Sequence, residues 1–247
     1  MPRIVVENVE LVHPLFSGSN EISTPSTESR FVVNKAGRTV GVRALNGVSF
    51  ELSEGTRVGV IGRNGSGKTT LLRVLAGILP PDRGTVTLEG HCTNLININL
   101  GTKGDASGHR NITLQGLASG HSREAIEEKR DEIIEFSELG EFLDFPVNTY
   151  SAGMRMRLSF AIATAFKPEI LLLDEWLSAG DVEFRRRASE RMASFVERAG
   201  VLVLASHSQS MLESNCDRAL WLDHGEIVQD GPVNEVFSAY QAKFGGA

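Results

Sequence analysis

The sequence predicts an α/β fold: a mainly parallel core sheet with an inserted helical subdomain. Three observations predict it. The short apolar run Arg57-Val58-Gly59-Val60-Ile61 leads into a glycine-rich turn and then into a helical pattern. Two further apolar runs, Ile170-Leu171-Leu172-Leu173 and Val201-Leu202-Val203-Leu204-Ala205, stop abruptly at Asp174-Glu175 and Ser206-His207, as strands covered on both faces do. The stretch between the first and second of these runs changes texture to charged, amphipathic helical segments.

Taken in order, Ile4 to Val9 reads as a strand. Residues 17–40, rich in Ser, Thr, Asn and Gly and weakly periodic, read mostly as a surface insertion or long loop. Val48-Ser49-Phe50-Glu51-Leu52 alternates apolar and polar residues and suggests an edge-facing strand. Thr69 to Gly77 reads as a helix with Leu71, Leu72, Leu75 and Ile78 at helical spacing, ended by Gly77 and Pro80-Pro81. Residues 123–139 carry Ile126, Ile133, Ile134 and Phe136 among charges, an amphipathic helix, and Met154 to Phe166 reads as a more buried one. Ala219–Leu222 and Glu226–Val228 flank His224-Gly225 as a hairpin. The expected organisation is one domain over 1–247, with a core lobe of 1–94 and 166–247 and a helical lobe of about 95–165.

Composition narrows the class. The chain has 247 residues, 41% hydrophobic and 23% charged, ordinary for a globular protein that buries a sizeable core. Acidic residues outnumber basic ones 31 to 25, which argues against a general nucleic-acid binder, so no nucleic-acid partner is expected. The Arg185-Arg186-Arg187 run reads as a solvated helix face. No apolar stretch is long enough to span a bilayer, and Met1 to Asn8 lacks a signal core, so the expectation is a cytosolic location. Cys92 and Cys216 form no C-x-x-C pattern and the six histidines show no metal-ligand spacing.

The strongest local signal is Gly62-Arg63-Asn64-Gly65-Ser66-Gly67-Lys68-Thr69, a match to the phosphate-loop pattern G-x-x-x-x-G-K-[ST] between a strand and a helix. Glycines let successive backbone N–H groups face one anion, and the following helix adds its positive end. Lys68 reaches β- and γ-phosphates, and Thr69 offers a hydroxyl to Mg²⁺. Asp174 at the end of an apolar strand suits Mg²⁺, and Glu175 beside it suits orienting and deprotonating a water; the same residues also suit a strand running into a solvated turn. Tyr150-Ser151-Ala152-Gly153-Met154 opens a helix, either as a phosphate-facing turn or as a simple Ser151 N-cap. His207 ends a buried strand, either as a packed residue or as a contact for a γ-phosphate.

These elements, in this order and spacing, resemble the ATP-binding cassette (ABC) family from Ile4 to about Tyr240. The resemblance implies a P-loop NTPase core in which Gly62–Thr69, with Thr70 following, is Walker A. Ile170–Glu175 looks like Walker B with the catalytic glutamate, Ser178-Ala179-Gly180-Asp181 like the D-loop, His207 like the switch histidine, and Ser151–Met154 like the signature. It also implies ATP and Mg²⁺ as cofactors, and a head-to-tail homodimer in which each ATP lies between one subunit's Walker A and the partner's signature. The aromatic that stacks on adenine falls at His13 or Phe16.

Departures narrow the resemblance. Tyr150–Met154 stands where L-S-G-G-Q is usual, and Gly180 where the D-loop commonly has leucine. With Gly108-His109-Arg110-Asn111-Ile112, the run from Ile133 through Phe145-Pro146-Val147, and Ala239-Tyr240, these forms resemble the ATPases of polysaccharide exporters. The implied activity is ATP hydrolysis driving export of a lipid-linked polysaccharide of the O-antigen, capsule or teichoic-acid type. The implied partner is a separate transmembrane permease, and the implied location is the cytoplasmic face of the membrane. Asn97-Ile98-Asn99-Leu100-Gly101 carries no counterpart of the family's loop glutamine, and Gln115 falls too late in the chain to serve. Metal coordination then rests on Thr69, Asp174, phosphates and water. The sequence ends soon after Tyr240, so the carbohydrate-binding extension of some relatives is not expected in it. The alternatives are a cassette for another cargo and, less well matched, a cassette without a transport role.

Overall fold

The computed structural model describes residues 1–15, 31–33, 39–95, 101–174 and 182–244. Contacts divide the chain into two compact units. The first comprises Met1–Gly90, Leu172–Glu175 and Val201–Ala247, and the second His91–Leu171 and Trp176–Gly200.

In the first unit, an antiparallel sheet is built from β1 (Arg3–Pro14), β2 (Phe31–Val33), β3 (Thr39–Ser53) and β5 (Arg83–Glu89), in the order β2-β3-β1-β5. Its core face follows period-two alternation: Ile4, Val6, Val9 and Leu11 from β1 meet Leu45, Val48, Phe50 and Leu52 from β3. The register slips near Asn8, whose φ of 49° marks the irregularity. The expected long loop at 17–40 is therefore interrupted, since Phe31–Val33 pairs with β3 and Thr39 already belongs to that strand. A three-residue strand is too short to show alternation, which is why composition alone hid it.

The second sheet of this unit places β4 (Arg57–Ile61) at its centre. It pairs in parallel with β8 (Val201–Ala205) on one side and with β9 (Arg218–Asp223) on the other. β10 (Glu226–Pro232) closes on β9 as an antiparallel hairpin, and β7 (Ile170–Asp174), of which Leu172–Asp174 belong to this unit, follows β8. Every residue of β8 is buried, matching its uninterrupted apolar run. The hairpin turns at His224 and Gly225, with φ of 50° and 84°, the paired left-handed conformation that matches strand twist. Helix α1 (Lys68–Leu75) sends Leu71, Leu72, Val74 and Leu75 inward, each such side chain contributing about 1.5–3 kcal/mol of transfer free energy. Helices α6 (Gln209–Asn215) and α7 (Val233–Phe244) complete the unit's described helices.

The second unit is mainly helical. It holds β6 (Cys92–Asn94), α2 (Gly108–Ala118), α3 (Arg123–Ser137), α4 (Ala152–Ala163) and α5 (Val182–Glu197). Ile112, Ile126, Ile133, Leu143, Tyr150 and Leu158 share one buried cluster. The expected helical lobe ran from about 95 to 165, whereas α5 also groups with this unit. The reason is side-chain chemistry across sequence. Arg191 bonds Glu132 at 2.8 Å and Arg187 pairs with Glu138, while Phe184 packs edge-on against Phe136 at 5.7 Å and Phe160 at 6.1 Å. In the Arg185–Arg187 run, Arg187 is thus committed to this network, and Arg186 pairs with Glu190 on the exposed side. Both cysteines are free thiols, and burial pushes each up to about 12, which keeps them protonated. Among the described residues, no helix is long and apolar enough to cross a membrane.

Candidate functional site

The first unit contains a cavity of about 610 Å³ whose wall includes Asn64, Gly65, Gly67, Lys68, Thr69 and Thr70. Here β4 ends and α1 begins, so the loop lies where a buried parallel strand hands over to a helix N-terminus. Gly62, Gly65 and Gly67 have φ of 152°, 77° and 111°. A Cβ on Gly62 would sit 2.2 Å from the Leu222 carbonyl oxygen, and one on Gly67 would sit 2.5 Å from that of Ala44. Gly62 and Gly67 are demanded by close backbone approach as well as by conformation, and Gly65 by conformation alone.

Gly67 caps α1 without any side-chain hydrogen bond, and the first turn holds no acidic residue. The helix thus keeps its first N–H groups and its positive end for an anion. Lys68 is buried to 8% exposure, and its Nζ donates to the carbonyls of Gly62 at 2.8 Å and Arg63 at 3.2 Å. The Ser66 Oγ is buried without a hydrogen-bond partner, a polar atom set into the same cradle. Thr69 is exposed and lines the cavity together with Asp174. Two hard oxygen donors beside a polyphosphate-shaped loop fit Mg²⁺, which takes few protein carboxylates and completes its shell with phosphate and water.

His207 and His13 line the same cavity. His207 lies in the turn between β8 and α6, where the buried Ser206 accepts the Ser208 N–H at 3.1 Å and shapes the turn. His13, near the end of β1, lies 3.2 Å from the Thr70 hydroxyl through Nε2. Two further residues of this wall, Arg43 and His224, carry no local signal of a nucleotide site in the sequence. His224 reaches it because the hairpin is tied to the loop: the Gly225 N–H donates to the Ser66 carbonyl at 2.9 Å, and the Asn46 N–H to the Gly225 carbonyl at 2.9 Å. The His-Gly pair marks the hairpin, but nothing local connects it to Ser66, 159 residues earlier in the sequence (225 minus 66).

Ser151, Ala152, Gly153 and Met154 lie in the second unit, at the start of α4. Ser151 Oγ accepts the Met154 N–H at 3.2 Å, so it is an N-cap within its own chain. Gly153 differs from the loop glycines: a Cβ there would meet only Ser151 Oγ, at 3.9 Å. Tyr150 is 3% exposed and its hydroxyl donates to the Phe142 carbonyl at 2.5 Å; burial raises its pKa. Gly108 is the partner of that packing, since a Cβ there would sit 2.5 Å from the Tyr150 oxygen. Asn111, fully buried, accepts the Lys103 N–H at 2.7 Å and donates to the carbonyls of Lys103, Ala106 and Ser107. Gln115 is also interior, donating to Thr102 at 2.7 Å. Glu175, Asp181 with its D-loop neighbours, Phe16, and the stretch from Asn97 to Leu100 lie outside the described residues.

With a glycine-cradled loop on a parallel strand in place, comparison with known proteins decides the family. Residues 45–178 match the family model described as ABC transporter. The chain belongs to that family. It is 40% identical over 235 residues to the O-antigen export system ATP-binding protein RfbE of Yersinia enterocolitica, covering 93% of this chain and 98% of RfbE. It is 42% identical to the O-antigen export system ATP-binding protein RfbB of Myxococcus xanthus and 43% identical to the teichoic acids export ATP-binding protein TagH of Bacillus anthracis. The chain spans 46% of the length of RfbB and 36% of TagH, less than half of each. A solved ATP-binding subunit of an ABC transporter superposes over 99% of this chain and 95% of its own, with a TM-score of 0.66 at 20% identity. A dimeric post-hydrolysis cassette bound to ADP and Pi superposes over 93% of this chain and 98% of its own, with a TM-score of 0.64, also at 20% identity. These two establish the shared fold, and the chain is an ABC ATPase.

Proposed function

We propose that this ABC ATPase powers export of a lipid-linked polysaccharide, of the O-antigen, capsule or teichoic-acid type, through a separate transmembrane permease. The carrying observation is 40% identity spread over 93% of this chain and 98% of an O-antigen export ATP-binding protein. Two chains act as a head-to-tail homodimer at the cytoplasmic face of the membrane. Ser151, Ala152, Gly153 and Met154 of one complete the nucleotide site on the Walker A of the other, with Asp181 nearby. The open space over Gly153, which its own fold does not fill, supports that reading.

Within each site, the Gly62–Thr69 backbone and Lys68 hold the β- and γ-phosphates, and His13 faces the adenine side. Thr69 and Asp174 are the residues that would hold Mg²⁺, which would supply neutralising charge to the phosphate oxygens. Glu175 accepts a proton from a water whose oxygen attacks the γ-phosphorus. The bond to the β–γ bridging oxygen breaks, and ADP leaves with that electron pair. His207 donates a hydrogen bond to the γ-phosphate. Proton acceptance by a placed carboxylate accounts for about 10²–10⁴ in rate.

The test uses cells whose only copy carries Glu175→Gln, a change that removes the base and keeps the shape. The expected result is loss of surface polymer with accumulation of the lipid-linked form inside. Unchanged surface polymer, with hydrolysis verified as absent, refutes the cargo. Wild-type hydrolysis in the purified variant refutes the role of Glu175.

A further inference from the structure

Arg63 is the second residue of the phosphate loop, yet it does not line the cavity. Its guanidinium instead lies over the ring of Phe244, 5.3 Å from the centroid, on the last described turn of α7. The Phe244 ring is itself held. Tyr240 meets it at 5.3 Å and Trp221 stands edge-on at 6.0 Å. Lys243 lies 5.2 Å over the same ring and bonds Asp223 at 3.1 Å, which ties the end of α7 to the end of β9. Trp221 in turn is paired with Ile61, the last residue of β4 before the loop.

The backbone of Arg63 carries the loop's internal order. Its carbonyl accepts the Ser66 N–H at 3.1 Å and the Lys68 ammonium at 3.2 Å. A side chain pinned at one end and a carbonyl used twice at the other make Arg63 a lever between α7 and Lys68.

We propose that Phe244, acting through Arg63, is a positioning residue for the phosphate loop, so that α7 sets the affinity of the site for ATP. The Phe244 ring, held by Trp221 and Tyr240, gives the guanidinium a π-face, and the cation is held by the ring's quadrupole. Loop order imposed before ATP arrives reduces the ordering that binding must otherwise impose. The inference rests on ATP binding at Gly62–Thr69.

The experiment measures the ATP dissociation constant of the purified full chain by calorimetry for wild type, Arg63→Ala, Phe244→Ala and the double variant, with Phe244→Trp and Phe244→Leu as controls. Wild-type binding tests the phosphate-loop reading separately from the variants. Each single substitution is expected to weaken binding about threefold, the scale of one exposed cation–π contact, and the double variant no further. Phe244→Trp is expected to bind as wild type, and Phe244→Leu, which fills space without a π-face, as Phe244→Ala. Multiplicative losses in the double variant overturn the proposal, because the two residues then act independently. Wild-type affinity in Phe244→Leu overturns it too, because packing alone then suffices.

Discussion

The phosphate loop and the signature turn are both small-residue turns that open a helix, and they meet the demands of a helix N-terminus in opposite ways. At Gly67 there is no side chain to cap α1, so its leading N–H groups stay directed at the cavity. At Ser151 the hydroxyl caps α4 from within. Their glycines differ as well. Gly62 and Gly67 have carbonyl oxygens at 2.2 and 2.5 Å from where a Cβ would be, whereas Gly153 has nothing nearer than 3.9 Å. The loop is specified by its own unit; the bareness of Gly153 is specified by nothing in its own unit. A glycine can serve its own fold or leave room for another molecule, and the two produce different mutational signatures.

The largest expected effect tests the loop itself. Lys68→Ala removes the ammonium from the cradle and is expected to lower ATP hydrolysis about 10²- to 10³-fold, the scale of losing one preorganised charge-stabilising donor. Hydrolysis within a few fold of wild type would break the comparison on the loop side. Gly67→Ala follows. With φ at 111° and the Ala44 carbonyl in the way, it is expected to lose about 1–3 kcal/mol of stability and most ATP binding, read by chemical denaturation and calorimetry.

Gly153→Ala sharpens the contrast. The alanine fits and favours the helix, so unfolding is expected at an equal or higher temperature while hydrolysis falls about tenfold or more through the partner's site. A parallel loss of stability and activity would show that this glycine serves its own fold. Gly108→Ala, by contrast, crowds the Tyr150 hydroxyl and Leu143 and is expected to cost about 1–3 kcal/mol in the second unit. Ser151→Ala removes the cap and costs about 1 kcal/mol, measured in the same denaturation.

The effect confined to one pH window is in the second unit. His121 stacks on Phe166 at 3.7 Å and meets His91 at 4.6 Å. Burial, and then the charge of His91, lower its pKa from 6.5 to about 4. The unfolded chain therefore binds the proton first. Stability from this group is full above pH 6.5 and falls as pH drops toward 4. His121→Phe is expected to flatten the denaturation profile across that window, and an unchanged slope would assign the acid sensitivity elsewhere.

Local patterns were the most readable part of the molecule. The strand–loop–helix from Arg57 to Leu75, the buried run of β8 and the His224-Gly225 turn are each contained in a few consecutive residues, where dihedral preference and periodicity act directly. Helix α2 is not legible in the sequence because its buried face includes Asn111, Gln115 and two glycines, which give no apolar stripe. Asn111 carries no chemical signal in the sequence; its four bonds to the 103–107 turn explain what that residue does.

The sequence by itself determined where a glycine-rich loop would join a buried strand to a helix and which strands would be covered on both faces, because those properties are local. Only the tertiary structure decided that α5 joins the helical unit through Glu132 and Glu138, that the hairpin is bonded to Ser66, and that α7 ends against Arg63. Each of those depends on one side chain or carbonyl meeting another across dozens of residues or more. No periodicity records such a meeting, because it exists only once the chain has closed on itself.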